Sequence, residues 1–468
     1  MNNTDLKSLE IKKLIESSIV YKDHITIDLI GIFFHQLMIY ATNFYIIKNN
    51  KKNYIGKINF PFLNNEYVKE IPKLNFDDNI KRKTSAIHKI IKFIQFFFSF
   101  STSIDIEGEG NAFFEKKNFI VRNFFKYKFN QTLNKKIFIK DKTEQIYNLQ
   151  ILLEKIAISI DIKEKDDFIL NFIKYVNSYI SQKPVFSKSD ILIVGSNTNL
   201  ISRINSAIYL SQGKKVICIS HGEHSPYVID EPSTGYGEFS YCSDYINFGR
   251  ELDYSQLKYA FPITKLPTIH YRNSKIIKSY YKNNKNIKYI NLKNSTKILY
   301  IPTIFSGNAR YGPFRDIEDD LYQKWQNSIM SLDYNINYKI HPKNKIEPQS
   351  NYQKIVRKNL KDILNKYDFY LLDYISTASA LCVATDKPII YFNLGQRNLL
   401  KEAKELLKKR TFWVDIDFDK DLSFQINKAI KDFNEIKKSY VNHYTEKYSL
   451  SENNKSTIDI LEEILNKT

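Results

Sequence analysis

Three strand-like segments in the second half of the chain each end in polar residues that suit the binding of a phosphate group. They are ILYIPT (298–303), YKIHPKN (338–344) and YLLDYISTASA (370–380). Ligands of open α/β sheets bind at the carboxyl ends of the strands, and three such ends follow one another here. The sequence therefore predicts an enzyme that holds an activated phosphate donor.

The first two of these strand ends combine a hydroxyl group or an imidazole with positive charge. His341 comes at the end of its strand, Pro342 stops that strand, and Lys343 adds charge beside the imidazole. Histidine and lysine together suit a phosphate leaving group. Thr303 ends the other strand, and Arg310 follows in a glycine-bearing loop, where it either contacts phosphate or is solvated.

The third strand end gives the strongest of these signals, because a buried strand passes into hydroxyl residues that open a helix. Ser376 or Thr377 can cap this helix, and Ser379 lies in its first turn. The amino terminus of a helix favours phosphate. Capping without any ligand is the alternative interpretation.

Three residues in the first half of the chain are candidate general bases. His221 directly follows the strand KVICIS and precedes Gly222, and Glu223 comes next, where it can act as the base or orient the imidazole. Glu109 belongs to the sequence Glu-Gly-Glu-Gly (107–110), which predicts an exposed, sharply turning acidic loop. Ordinary surface turns are the alternative at both places.

The composition is that of a globular protein, with 43% hydrophobic and 26% charged residues. The net charge of +19 indicates an anionic partner such as an acidic lipid surface or a charged glycan, although part of it reflects a general richness in lysine. The chain shows no signature of a nucleic-acid-binding module, so no nucleic-acid partner is expected. Three widely spaced cysteines fit a reducing compartment and predict neither a disulfide framework nor a zinc site.

The amino-terminal part gives weaker signals. The chain begins with polar and charged residues, so we expect no signal peptide and a cytoplasmic location. The apolar stretch Ile25–Ile47 is interrupted by Asp28 and His35, which predicts a buried amphipathic helix and not a membrane span. The stretch His88–Phe100 mixes lysine with phenylalanine and lies either in a core or on the acidic inner face of the cell membrane.

Strands and helices alternate from Ile191 onward, as in parallel sheets. The segment Ile269–Ser295 has weak periodicity and is predicted to be a linker between two sheets, and Tyr352–Tyr367 is predicted to be a helix. The fold class expected is α/β of the GT-B type, with two Rossmann-like domains facing across a cleft and additional helices. Residues 1–290 form the acceptor-side domain in this prediction, and residues 291–468 form the donor-binding domain.

Taken in order, these segments resemble CDP-glycerol glycerophosphotransferases. ILYIPTIFSGNARYG, KIHPK and DYISTASALCVATDKPIIYFN are similar to three successive motifs of that family, and SHGEH is similar to its His-Gly element. Capsule-polysaccharide glycosyltransferases and sialyltransferase-like enzymes share a similar His-Pro and Ser/Thr arrangement on a GT-B fold. The family's arginine directly after Pro-Thr is absent, so only Arg310 could substitute.

The resemblance implies a transferase that builds a bacterial surface polysaccharide from a CMP- or CDP-activated donor and a glycan or lipid-linked acceptor. His341 and the cluster Ser376, Thr377 and Ser379 would bind the donor phosphates, and His221 would be the base. No cofactor or metal is expected. A CMP-nonulosonate or CMP-Kdo donor stays open, as do a nucleotide-sugar epimerase of the same fold and a non-catalytic scaffold of glycan assembly.

Overall fold

The computed structural model of the chain describes residues 3–19, 27–49, 100, 102–107, 116–130, 134–163, 165–195, 197, 199–220, 222, 227–228, 241–250, 267–281, 287, 290–302, 319–341, 354–397, 399–436 and 440–467. The helices are α1 (Asn3–Ser18), α2 (Leu29–Asn49), α3 (Lys116–Arg122), α4 (Lys142–Ser159), α5 (Lys165–Ser178), α6 (Leu200–Ser211), α7 (Lys275–Tyr280), α8 (Asp319–Met330), α9 (Thr377–Val383), α10 (Lys401–Arg410), α11 (Leu422–Glu435), α12 (His443–Ser449) and α13 (Thr457–Asn466). The strands are β1 (Ser103–Glu107), β2 (Lys128–Asn130), β3 (Ile137–Phe138), β4 (Ile180–Ser181), β5 (Ile191–Val194), β6 (Lys215–Ile219), β7 (Asp244–Phe248), β8 (Thr268–Arg272), β9 (Ile298–Ile301), β10 (Ile336–Lys339), β11 (Ile355–Val356), β12 (Phe369–Leu372), β13 (Ile389–Asn393) and β14 (Phe412–Asp415).

Two parallel sheets of six strands organise the described part of the chain. The first has the order β2-β1-β5-β6-β7-β8 and the second the order β11-β10-β9-β12-β13-β14, and β3 pairs separately with β4. Every neighbouring pair in both sheets is parallel. Parallel strands are covered on both faces and so read as continuous apolar runs, which is why ILIV and ILYI form the central strands.

Three large apolar clusters cover these sheets. The largest joins the amino-terminal helices to one face of the first sheet and continues to residues of the second sheet, among them Leu299 and Leu372. The other face of the second sheet is covered by α8 and α11. The other face of the first sheet is covered by α3 and by the last helix, α13. The chain therefore returns to the first sheet after it has completed the second.

Most of the predicted strands are confirmed, and the mixed α/β class with parallel sheets is confirmed with them. The GT-B arrangement and the domain boundary at residue 290 stay predictions. The buried helix predicted at Ile25–Ile47 is confirmed as α2. Its predicted amphipathic pattern is wrong, because nearly all of its described side chains are buried, Gln36 and Thr42 among them. Within the described residues, no helix is long and apolar enough to cross a bilayer. The stretch predicted to contact a membrane, His88–Phe100, lies outside the described residues except for its last residue.

Two predicted elements are wrong. The described part of Tyr352–Tyr367 holds β11 and two 3-10 turns in place of a helix, because the β-branched pair Ile355 and Val356 joins the edge of the second sheet beside β10. The predicted linker Ile269–Ser295 begins with β8 and α7. Strand β8 escaped recognition because it is an edge strand with polar residues. Its His270 contacts the carboxylate of Asp244 at 2.9 Å.

Candidate functional site

The strand orders place a topological switch point in each sheet. In the second sheet the order runs outward in opposite directions from β9 and β12, and in the first sheet from β1 and β5. Ligands of open parallel sheets bind in the crevice at the carboxyl ends of the strands next to such a point. The loops after β1, β5, β9 and β12 are therefore the expected positions of functional residues.

Glu107 ends β1 at the switch point of the first sheet. The expected exposed acidic loop is wrong for this residue, because Glu107 belongs to the strand and is only 3% exposed. Its carbonyl oxygen accepts a hydrogen bond from the amide of Gly195, which follows β5 (3.0 Å). The structure thus sets a buried carboxylate at this edge, whereas the predicted base Glu109 lies outside the described residues.

The loop after β5 is held by a buried arginine on α6. Arg203 donates from Nε to the carbonyl of Asn197 (3.0 Å) and from Nη1 to the carbonyl of Ile32 in α2 (2.7 Å). Burial lowers the pKa of Arg203 to about 10. The buried amide of Asn197 in turn contacts the carbonyl of Tyr241 (3.0 Å). These contacts fix one side of the first switch point.

The turn after β6, which carries the predicted bases His221 and Glu223, is described only at its edges. Ser220 donates from its hydroxyl to the carbonyl of Gly222 (2.9 Å), and the buried Arg272 at the end of β8 donates to the carbonyl of Ser220 (3.3 Å). Arg272 also stacks on the ring of Phe248 at 3.8 Å. Sequence reasoning missed Arg272, because β8 was not recognised. His221 and Glu223 themselves lie outside the described residues.

The second switch point contains a buried carboxylate that neutral donors surround. Asp373 follows β12, and its Oδ2 atom accepts hydrogen bonds from Tyr300 (2.5 Å), Tyr322 (3.2 Å) and Trp325 (3.0 Å). Burial, and after it the charge of Asp373, raises the pKa of both tyrosines well above its usual value. The carboxylate thus anchors the start of the loop that leads to Ser376.

Of the three predicted hydroxyl ligands, two reach solvent and one is engaged within the protein. Ser376 and Thr377 are partly exposed at the start of α9. Ser379 is buried, and its hydroxyl accepts from the amide of Ser376 (2.8 Å) and donates to the carbonyl of the same residue (2.7 Å). Ser379 therefore closes the first turn of α9, and Ser376 and Thr377 stay the candidates for ligand contact.

The remaining predicted donor-site residues are only partly described. His341 lies beyond the end of β10 and is partly exposed. Lys339, two residues earlier, is buried and donates to the carbonyl of Ile340 (2.7 Å), and burial lowers the pKa of its ammonium group. The other predicted donor-site residues lie outside the described residues: Thr303, Arg310, Pro342 and Lys343.

Sequence reasoning missed Gln396 and Arg397, which follow β13 beside the second switch point. Gln396 is buried, and the guanidinium of Arg397 lies over the ring of Tyr374 at 4.6 Å. This contact joins the loop after β13 to the loop after β12. The sequence signal available was the polar run Gly-Gln-Arg-Asn, which is separated from the predicted strand PIIYF by two residues.

Main-chain pairing joins the loop after β13 to the loop after β6 of the other sheet. Val228 and Leu399 form an antiparallel bridge, and the amide of Leu400 donates to the carbonyl of Tyr227 (2.9 Å). The hydroxyl of Tyr444 on α12 donates to the hydroxyl of Tyr227. The structure thus brings the loop that continues from His221 together with the loop that carries Gln396.

Among the described residues, no three His, Cys, Asp or Glu side chains are grouped to share a metal ion.

Comparison with known proteins finds a distant structural similarity. No protein-family model matches the chain, and no curated protein matches it. Among solved structures, the crystal structure of a "glycotransferase of kitacinnamycin" is similar over 72% of this chain and 91% of its own, with 8% sequence identity and a TM-score of 0.32.

Proposed function

We propose that this chain is a metal-independent GT-B transferase that builds a bacterial cell-surface polysaccharide such as a capsule, lipopolysaccharide or teichoic-acid-like polymer. It moves a sugar or a polyol phosphate from a CMP- or CDP-activated donor to a glycan or lipid-linked acceptor, and needs no cofactor. The observation that carries the proposal is the pairing of Val228 with Leu399, which joins strand-end loops of two parallel sheets. In this proposal the two joined loops border the place where the donor and the acceptor meet.

The donor phosphates bind, in this proposal, at the carboxyl ends of β9, β10 and β12. Ser376 and Thr377 offer partly exposed hydroxyl groups, and His341 offers an imidazole that donates to a phosphate oxygen. Hydrogen-bond donors that face the leaving phosphate stabilise the charge that develops there. Thr303, Arg310, Pro342 and Lys343, which lie outside the described residues, are the other residues predicted for this set.

The acceptor hydroxyl is deprotonated, in this proposal, on the side of the first sheet. His221, Glu223 and Glu109 are the candidate bases, and all three follow strands of that sheet in sequence. The buried Glu107 at the switch point and Arg272 beside Ser220 support a polar, charged environment there. A base of near-neutral pKa is best suited to accept this proton.

A thermal-shift series with CMP, CDP, UDP, GDP and ADP tests the donor site. A ligand that binds only the folded state raises the melting temperature. We expect CMP or CDP to give the largest shift, and His341→Ala and Ser376→Ala to reduce it. His443→Ala and Ser423→Ala, at exposed positions of α12 and α11, serve as matched controls that keep the shift. A wild-type chain that no nucleotide stabilises contradicts the proposal.

Product analysis separates the two other candidate functions. Release of CMP or CDP that requires a glycan acceptor supports the transferase. A donor sugar that changes without any acceptor identifies the nucleotide-sugar epimerase. A chain that binds the glycan and alters neither donor nor acceptor is a scaffold of glycan assembly. Activity that persists in the presence of EDTA supports the metal-independent reaction.

The proposed location is the cytoplasm, in peripheral contact with the acidic inner face of the cell membrane. Val121 and Phe125, on α3 and the turn after it, are 76% and 74% exposed. Lys126 and Lys128 are exposed beside them. Apolar side chains bordered by lysines favour an anionic lipid surface, and the net charge of +19 acts in the same direction. A membrane contact would bring the enzyme to a lipid-linked acceptor.

A further inference from the structure

Gln396 is a buried amide whose oxygen has no partner in the part of the chain that the structure describes. It lies three residues beyond the carboxyl end of β13 and is 7% exposed. Its Oε1 atom is buried, and among the described residues no group donates a hydrogen bond to it. Because a buried polar atom without a partner destabilises the folded state, this residue calls for an explanation. A bound ligand that donates a hydrogen bond to Oε1 would supply the missing partner.

The main chain holds Gln396 in a defined position. Gly395 has a φ of +74°, and its amide donates to Oδ1 of Asn393 (3.3 Å). The side-chain amide of Asn393 donates in turn to Asp415 at the end of β14 (2.7 Å). Arg397 then reaches across to the ring of Tyr374 at 4.6 Å. The main chain that carries Gln396 is thus held between the ends of β12 and β14.

The order of the strands relates this amide to the proposed phosphate site. From one side to the other, the carboxyl ends are those of β10, β9, β12 and β13. His341 follows the first of these strands, Ser376 follows β12, and Gln396 follows β13. Neighbouring strands lie about 5 Å apart. A nucleotide whose phosphates bind over β10, β9 and β12 can therefore extend its base to the end of β13.

We propose that Gln396 binds the edge of the nucleobase and selects a base with an exocyclic amine, as cytosine has. This inference rests on the proposed function, because it assumes a nucleotide-activated donor. The Oε1 atom accepts a proton of the amine, and the Nε2 group donates to the ring nitrogen next to it. Uracil carries a carbonyl oxygen where cytosine carries the amine. In the amide orientation of this structure, that oxygen would face Oε1 without a proton between them.

Calorimetric titration of the full chain with CMP and with UMP tests the inference. We expect the wild-type chain to bind CMP at least about tenfold more tightly than UMP, because a polar site rejects a ligand that leaves its groups unpaired. Gln396→Met keeps an unbranched side chain of similar length and removes the amide. We expect this variant to lose the preference, so that the ratio of the two dissociation constants falls to about one.

The melting temperature of the unliganded variants gives a second readout. Gln396→Met removes a buried polar atom that has no partner, so its melting temperature should equal or exceed that of the wild type. Gln150→Met, at an exposed position of α4, is the matched control and should keep the preference for CMP. Nucleotide binding with the same CMP-to-UMP ratio in the wild type and in Gln396→Met overturns this inference alone. A wild type that binds neither nucleotide overturns the proposed function and this inference together.

Discussion

Val228 and Leu399 pair as an antiparallel bridge, although one follows a strand of the first sheet and the other a strand of the second. The next contact, from the amide of Leu400 to the carbonyl of Tyr227, is also between main-chain atoms. Buried main-chain groups are nearly always paired, so this geometry does not depend on particular side chains. The loop continuing from His221 is thus held close to the loop that carries Gln396.

Gly249 follows β7 of the first sheet and lies against α12. We predict that alanine is not tolerated at this position. Its φ is +87°, and a Cβ atom would overlap the main chain of Lys447 and Tyr448 in α12. Strain and overlap together should lower the free energy of unfolding by about 2–5 kcal/mol. Urea unfolding followed by circular dichroism measures the loss.

Gly213→Ala is the matched control for Gly249→Ala. Gly213 has a φ of +68°, and nothing lies within 4 Å of an added Cβ atom. Only the backbone strain of about 1–2 kcal/mol is expected there. Equal losses in the two variants would contradict the close approach of α12 to Gly249.

Gly395→Ala should weaken nucleotide binding in addition to lowering stability. Its φ of +74° and the open space around it match Gly213, so both alanine variants should lose about 1–2 kcal/mol of folding free energy. Gly395, however, sets the direction of Gln396. We expect the dissociation constant for CMP to rise in Gly395→Ala and to stay unchanged in Gly213→Ala. Titration calorimetry on both variants measures this, and a parallel change in the two would count against the role of Gln396.

Asp373→Ala should destabilise the second sheet strongly, because it leaves the donors of Tyr300, Tyr322 and Trp325 without their shared acceptor. A buried donor that loses its partner costs about 1–3 kcal/mol, so we expect a total loss of at least about 3 kcal/mol. Asp373→Asn keeps an acceptor oxygen and should lose less. Urea unfolding provides the measurement.

Tryptophan fluorescence can localise this effect of Asp373. The chain has two tryptophans, Trp325 and Trp413, so a Trp413→Phe background isolates the ring that donates to Asp373. We expect the emission of Trp325 to change in Asp373→Asn and to stay the same in the exposed control Asp419→Asn. An unchanged spectrum in Asp373→Asn would contradict the hydrogen bond.

The sequence predicted the parts of the fold that depend on local pattern. The buried strands read as apolar runs, and hydroxyl residues marked the start of α9, so their positions could be assigned without the structure. The burial of Glu107, Asp373 and Gln396 could not be predicted, because a polar residue after a strand reads the same whether it faces water or the interior. Their surroundings come from distant segments, as Trp325 shows for Asp373. The edge strands β8 and β11 were not predicted for a related reason. Each forms by pairing with a strand that is distant in sequence, and the local pattern does not show this pairing.

His35 on α2 should make the stability of the chain depend on pH. Burial, and after it the charge of Arg203, lowers the pKa of His35 to about 3, against about 6.5 in the unfolded chain. Between these values the unfolded state binds more protons, so this contribution is complete above pH 6.5 and is lost as the pH falls toward 3. We expect a loss of up to about 2 kcal/mol between pH 7 and pH 5, reduced because water reaches the partly exposed ring.

Urea unfolding of the wild type and of His35→Gln at a series of pH values measures this contribution. The difference between the two chains removes the effect of all other titrating groups. We expect the free energy of unfolding of the wild type to fall more steeply below pH 6.5 than that of the variant. Identical slopes would show that the imidazole is protonated as easily in the folded state as in the unfolded one.

Phe125 should carry much of the proposed contact with an anionic membrane. Its ring is 74% exposed next to Val121, and Lys126 and Lys128 are exposed on the same short segment. Transfer of a phenylalanine side chain from water contributes about 1.5–3 kcal/mol, and each lysine near an anionic surface about 1 kcal/mol. Phe125→Asp should therefore weaken binding to vesicles that contain phosphatidylglycerol by at least about tenfold, as measured by co-sedimentation.

Phe424→Asp is the matched control for Phe125→Asp. The ring of Phe424 is 68% exposed, but the nearby acidic residues Asp417, Asp419 and Asp421 oppose contact with an anionic surface. Its substitution should leave vesicle binding unchanged. Vesicles of phosphatidylcholine alone should bind the wild type weakly, because the lysines gain nothing from a neutral surface. Equal losses in the two variants would place the membrane contact elsewhere on the chain, and strong binding to neutral vesicles would remove the electrostatic part of the proposal.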